Sequence, residues 1–177
     1  MGREPDGFHE FVVARSAVLL RTAWMLTGDS ASAEDLLQTA LARTWPHWNR
    51  IASSSPEAYV RTVMVRTNAS WRARHWNRER PTGDVESASE NARVWSADEH
   101  LRSDDRMSLA AALASLPTRQ RQAVVLRYFD DLSVDEVARI MNSAPGTVKS
   151  QSAKGLAKLR LALTDLDAVA ASRKDQP

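Results

Sequence analysis

Apolar residues recur three and four positions apart from the start of the chain, and that spacing predicts helix almost throughout. Phe8, Phe11, Val12, Leu19, Ala23 and Leu26 share one face with Arg15 and Thr22, and Gly28 is a stop signal. Asp29-Ser-Ala-Ser forms a turn able to cap a second helix, from about Ala31 to Trp45, which Pro46 ends or breaks. The Ser-rich stretch Asn49–Pro56 reads as a loop. A third helix starts at Glu57 or Ala58 and ends near Trp76. Periodicity resumes at Met107, breaks at Pro117, and returns from Thr118 to Phe129. Two short helices joined by a tight turn come last, with a polar, fraying tail from about Asp165. Val124, Val125, Tyr128 and Phe129 are expected to pack beneath those two helices.

The fold class expected is therefore all-α: two small helical domains joined by a flexible acidic linker, the second carrying a helix-turn-helix. The boundaries read as a first domain over 1–78, a linker over 79–105, a second domain over 106–165 and a tail over 166–177. The linker is rich in Ser, Asp, Glu and Asn, a composition that cannot bury a core. Val94-Trp95 and Leu101 are its only candidates for a short ordered piece.

Charge sharpens this division. The 177 residues carry 24 basic and 22 acidic side chains, a net of only +2. Residues 61–80, however, hold six Arg and one Glu, residues 82–105 hold seven acids and two Arg, and residues 146–163 hold four basic residues and no acid. A basic–acidic–basic order suits two segments that share a polyanionic partner, with a spacer that avoids it.

Candidate chemistry concentrates in the last two helices. Ser133 and Glu136 form a capping box that fixes where the first begins. Val137, Ile140 and Met141 point inward, Ala138 permits a close crossing, and Asn142 suits a left-handed turn. Gly146-Thr147 opens the second helix, with Thr147 able to cap it. Val148, Ser152, Gly155, Leu156, Leu159 and Leu163 form its core face. Thr147, Ser150, Gln151, Lys154 and Lys158 lie on the other side, flanked by Lys149. Lys and Thr suit phosphates, while Gln, Ser and Lys also reach base edges, as on a recognition helix in a DNA major groove.

Other chemistries find no support. With no Cys, disulfides, thiolate metal sites and a thiol nucleophile are excluded. His9, His47, His75 and His100 show no metal-ligand spacing, and no paired carboxylates or Gly-rich phosphate loop stand beside them. The expectation is no catalytic residue, no metal and no cofactor. No apolar run approaches a membrane span and no signal peptide is seen, so a cytoplasmic protein is expected.

The stretch Leu116 to Arg160 resembles domain 4 of bacterial RNA polymerase sigma factors: Leu116-Pro117, a helix ending Leu126-Arg127-Tyr128, an acidic-Leu-Ser-x-x-Glu-Val-Ala run, then Gly146-Thr-Val-Lys-Ser150. Far upstream, Ala33-Glu-Asp-Leu-Leu-Gln-Thr-Ala-Leu-Ala-Arg-Thr-Trp45 resembles the helix of sigma domain 2 that grips polymerase. Together the two motifs resemble the short, two-domain extracytoplasmic-function (ECF) group.

The resemblance implies roles. Asp35, Gln38, Leu41 and Trp45 would dock on core RNA polymerase. Ser53, Ser54 and Ser55 would receive a flipped base of the −10 element. Arg61, Asn68 and Arg72, on one stripe of the third helix, and Arg66, on another with Ser70 and Arg74, would line the single strand. Arg66 stands where the family often has Asn, and Gln151 where many members carry Arg. Trp71 and Trp76 would pack in the core or stack on bases, with the core favoured. Thr147, Lys149, Ser150, Gln151, Lys154 and Lys158 would meet the −35 duplex, and the acidic linker would enter the polymerase's RNA exit path. The implied partners are core polymerase and promoter DNA, with an anti-sigma protein as a further candidate. The rival reading, a stand-alone helix-turn-helix regulator, leaves the Asp35–Trp45 helix and the Arg61–Arg74 stripe without a role.

Overall fold

A computed structural model describes residues 5–78 and 103–174. All its regular elements are helical: α1 (Phe8–Thr27), α2 (Ser30–Thr44), α3 (Trp48–Ile51), α4 (Pro56–Arg78), α5 (Ser103–Ala114), α6 (Thr118–Val124), α7 (Val134–Met141) and α8 (Pro145–Lys174). Most of the linker, with Val94, Trp95 and Leu101, lies outside the described residues. Residues 103–105, expected in the linker, belong to α5.

Several junctions follow directly from local chemistry. Gly28 takes a left-handed φ of 98° and its N–H closes α1 on the Trp24 carbonyl at 2.7 Å. The Asp29 carboxylate accepts from the Ser32 N–H at 2.8 Å and caps α2. Ser133 and Glu136 form the expected capping box on α7. Asn142 ends α7 with a left-handed φ of 48°, where a short polar side chain is tolerated.

Other junctions differ from the sequence expectation. α2 ends just before Pro46, as expected, but the chain stays helical: a 3₁₀ turn, Trp45–His47, carries it into α3. Proline near the start of such a turn forfeits an N–H that needed no partner. The expected Asn49–Pro56 loop therefore shrinks to the four residues 52–55. Trp48 anchors this corner, 3 % exposed, edge-on to Phe8 at 5.0 Å, its indole N–H donating to the Asp6 carbonyl. α8 begins at Pro145, so Thr147 lies inside its first turn rather than capping it, and α8 continues past Asp165 to Lys174. After α6 the backbone widens into a π-helical turn, Val125–Phe129. The extra residue per turn shifts the side-chain phase. Val124 and Val125 are buried and Phe129 packs at the core's edge, but Tyr128 is 50 % exposed beside the Arg127 guanidinium.

The two helical units do not stand apart. One apolar cluster runs from Leu19, Leu26, Leu36, Val60 and Met64 through Leu113 and Leu116 to Val124, Val137, Ile140, Val148 and Leu159. Trp71 packs against it, as expected; the Trp76 side chain lies outside the described ones. α4 is the central contact, touching α2 on one side and α7 on the other.

The recognition-like helix is seated through Gly155, where α8 crosses α6. A Cβ there would meet a Val124 methyl at 2.7 Å and the Gln120 carbonyl oxygen at 3.0 Å. Gly155→Ala would gain about 1 kcal/mol of helix propensity but lose about 1–3 kcal/mol to overpacking against backbone. A lowered thermal midpoint is expected in scanning calorimetry, and a raised one would show that the crossing is looser than described. Ser133→Ala, which removes the α7 cap, should cost about 1 kcal/mol in urea unfolding. The Glu136 side of the box adds a pH signature. Hydrogen bonds to Ser133 lower the Glu136 pKa, so its stabilising share is present at neutral pH and lost as pH falls through that lowered value. In Ser133→Ala, this acid-limb loss should shrink.

Candidate nucleic-acid interface

α8 separates its two faces as its sequence pattern requires. Val148, Ser152, Gly155 and Leu159 are buried, and Leu156 and Leu163 are half-buried. The Ser152 hydroxyl donates to the Val148 carbonyl at 2.8 Å, which lets a polar residue sit inside. On the outer face Thr147, Lys149, Ser150, Lys154 and Lys158 are exposed and Gln151 is half-buried. Thr147, Ser150, Gln151, Lys154 and Lys158 thus lie along one solvent-facing helix surface, near an N-terminus whose free N–H groups favour anions, while Lys149 is exposed on the flank, at the other edge of the buried face. Arg119 of α6 steadies the turn before it, donating to the Ser143 hydroxyl at 2.9 Å.

On α2, Asp35 and Gln38 are exposed, while Leu41 and Trp45 are half-buried. Leu41 leans on the core. Trp45 packs edge-on to Phe8, centroids 4.9 Å apart. The four residues form a mixed patch, with an acid and an amide outward and two apolar groups rooted in the fold, a composition suited to a protein interface.

The third group is divided by the packing of the units. Ser53, Ser54 and Ser55 are exposed on the turn between α3 and α4, and Arg66 is exposed on α4. The Arg74 side chain lies outside the described ones. Arg61 and Asn68, by contrast, are only 7 % and 3 % exposed. Arg61 faces the second unit, whereas Asn68 turns toward α1 of the first. The Arg61 Nε donates to Asp130 at 2.8 Å and its Nη1 to Glu57 at 2.7 Å. Burial alone would lower the Arg61 pKa, but the two carboxylates outweigh it and raise the pKa. Asn68 points to the Leu26 carbonyl. Arg72 is half-buried, with Thr118 of α6 at 3.5 Å. The stripe Arg61–Asn68–Arg72 is therefore brought together, but against protein.

Three residues at this junction had no distinguishing sequence signal. Asp130 joins Arg61 to Thr22, whose hydroxyl donates to it at 2.7 Å. Gln122 donates to the Val65 carbonyl at 3.1 Å. Arg121 is 1 % exposed and donates to the Leu26 carbonyl at 3.0 Å. Their partners lie 57 to 108 residues away, beyond any periodicity. In the sequence Asp130 and Asp131 stand only as acidic residues before Leu132-Ser133, and Arg121 and Gln122 only as part of the helix from Thr118 to Phe129. Among the described residues no helix is long and apolar enough to cross a membrane.

Comparison with known proteins bears on both units. Residues 12–78 match the Sigma-70 region 2 family model, and residues 106–159 match Sigma-70, region 4. The chain is 39 % identical over 172 residues to the RNA polymerase sigma-E factor of Streptomyces avermitilis, covering 96 % of this chain and 93 % of that one. It is 33 % identical to the ECF RNA polymerase sigma factor SigL of Mycobacterium tuberculosis, covering 85 % of each. Its fold is similar to that of the sigma factor RpoE of Bartonella quintana, solved in complex with the anti-sigma factor NepR. That likeness has a TM-score of 0.70 at 23 % identity and covers 90 % of this chain and 98 % of that one. With both sigma regions matched in order and relatives aligned over nearly its full length, the chain belongs to the ECF RNA polymerase sigma factors.

Proposed function

We propose a residue-level division of labour for this sigma factor, whose partners are core polymerase and promoter DNA. A first domain, residues 1–78, docks on core polymerase through Asp35, Gln38, Leu41 and Trp45. It holds the melted −10 strand with Ser53, Ser54, Ser55, Arg61, Arg66, Asn68 and Arg72. A second domain, residues 106–165, reads the −35 duplex with Thr147, Lys149, Ser150, Gln151, Lys154 and Lys158. The acidic linker between the two domains runs along the polymerase and avoids DNA by its charge. The factor contributes binding and positioning but no catalytic group, and it works in the cytoplasm beside the chromosome. An anti-sigma protein that covers both domains is a further proposed partner.

The observation that carries this reading is the outer face of α8. It offers two Lys, two hydroxyls and one amide, with no acid and with Lys149 on its flank, on a helix whose opposite side is locked into the core. Phosphate contacts made by Lys supply affinity, while Gln151 and Ser150 have the donor and acceptor groups that base edges require.

Two opposed substitutions test the division. Lys154→Glu should reduce run-off transcription from genomic fragments by about tenfold or more, since each lost phosphate contact also becomes a repulsion. It should leave pull-down of core polymerase intact. Asp35→Arg should do the reverse, losing the pull-down while α8 remains folded. Equal loss of polymerase binding in both variants would contradict the division. For the milder Lys154→Ala, the log–log salt slope of promoter binding by holoenzyme should fall by about 1. An unchanged slope would remove Lys154 from the phosphate contacts.

A further inference from the structure

α1 is apolar on the side it turns to solvent as well as on the side it buries. Leu19, Thr22, Ala23 and Leu26 hold its inner face in the molecule. The opposite face carries Glu10, Val13, Ala14, Ala17, Val18 and Arg21, and all of these are exposed. Their spacing, three or four residues and their neighbours, is that of one continuous helical stripe. A surface helix ordinarily keeps charged and polar groups there. Val13 is 70 % exposed and Val18 44 %. The other exposed large apolar residues among those described, Met107, Tyr128 and Leu161, stand on three different elements, whereas these two border the same stripe. Ala14 and Ala17 lie between them, so no bulky side chain holds another backbone away.

The stripe is also symmetric end to end. About the point midway between Arg15 and Ser16, Glu10 mirrors Arg21, Val13 mirrors Val18 and Ala14 mirrors Ala17. We propose that the protein pairs with a second copy of its own chain through this face of α1, antiparallel and about a two-fold axis. In that arrangement each residue comes level with its mirror on the other helix. Glu10 meets Arg21 of the partner subunit at both ends, a carboxylate against a guanidinium. Val13 and Val18 flank the crossing and cover the alanines at its centre. The helix dipoles then oppose, which is the favourable sense, and the two-fold axis makes every contact occur twice. A parallel pair would instead set Glu10 beside Glu10 and Arg21 beside Arg21, so the charges select the antiparallel form.

Such an interface is small. One helix face a side falls well short of the about 20–30 residues a side of a standard stable interface. Pairing is therefore weak, with a dissociation constant on the order of 100 µM, and the dilute chain is a monomer. The face shares no residue with the α2 patch, with α4 or with α8, so the pairing stands independently of the proposed polymerase and promoter contacts.

Sedimentation velocity of the full-length chain over about 5–500 µM reads the pairing directly. The wild type should pass from monomer to dimer across that range. Glu10→Arg should raise the dissociation constant about tenfold, because two opposite pairs become two like pairs, and Arg21→Glu should do the same. Mixed in equal amounts, these two variants should associate again, within about threefold of the wild type, since each supplies the charge that the other lacks. Arg21 also has an interaction within its own chain. Ala17→Glu, at an exposed position, leaves both charges in place and serves as a second block, with a similar loss. Circular dichroism checks that each variant stays helical. A wild type that remains monomeric to about 500 µM overturns the proposal. A wild-type dimer that none of the three substitutions weakens overturns its assignment to α1. A mixture that fails to associate, with both variants folded, overturns the antiparallel register.

Discussion

The buried pair between Arg61 and Asp130 links the two halves of the molecule, and most of the architecture can be traced from it. It joins α4 to the π-helical turn after α6 and, through Thr22, to α1. The shared apolar cluster surrounds it, so its charges are shielded from water but not from each other. Removing either partner would strand a charge in that environment, whereas parting the units hydrates both. Apolar burial is indifferent to orientation. The pair, with Gln122 on the Val65 carbonyl, gives the packing its register.

For a sigma factor this matters because the reader is divided. α8 displays its basic face freely in the described form, whereas α4 displays only part of its own: Arg66 is open, but Arg61 and Asn68 are covered. The free chain would meet promoter DNA with one reading element available and the other engaged internally. Two linked binding elements reinforce each other only when geometry lets both engage together.

Much of this was legible in the sequence, for physical reasons. Gly28, Asp29, the Ser133–Glu136 box and Asn142 act within a few residues of themselves, so their roles could be read locally and each is seen. The two faces of α8 followed from periodicity. What could not be read was anything that depended on the units meeting. The stripe Arg61–Asn68–Arg72 borders the apolar positions Val60, Met64 and Val65, and whether its polar groups face solvent, DNA or protein depends on partners outside the helix. Tyr128 was misplaced because a π-helical turn changes the phase of a helix without a composition signal. The loop after Pro46 was expected too long because proline is harmless at the start of a new turn.

The central claim is that the factor alone is one closed body, and small-angle X-ray scattering of the free full-length chain tests it most directly. A closed chain of 177 residues should give a radius of gyration of about 16–18 Å and a single-peaked distance distribution. A value beyond about 22 Å, with a second peak or shoulder from two separated helical bodies, would contradict the closed form.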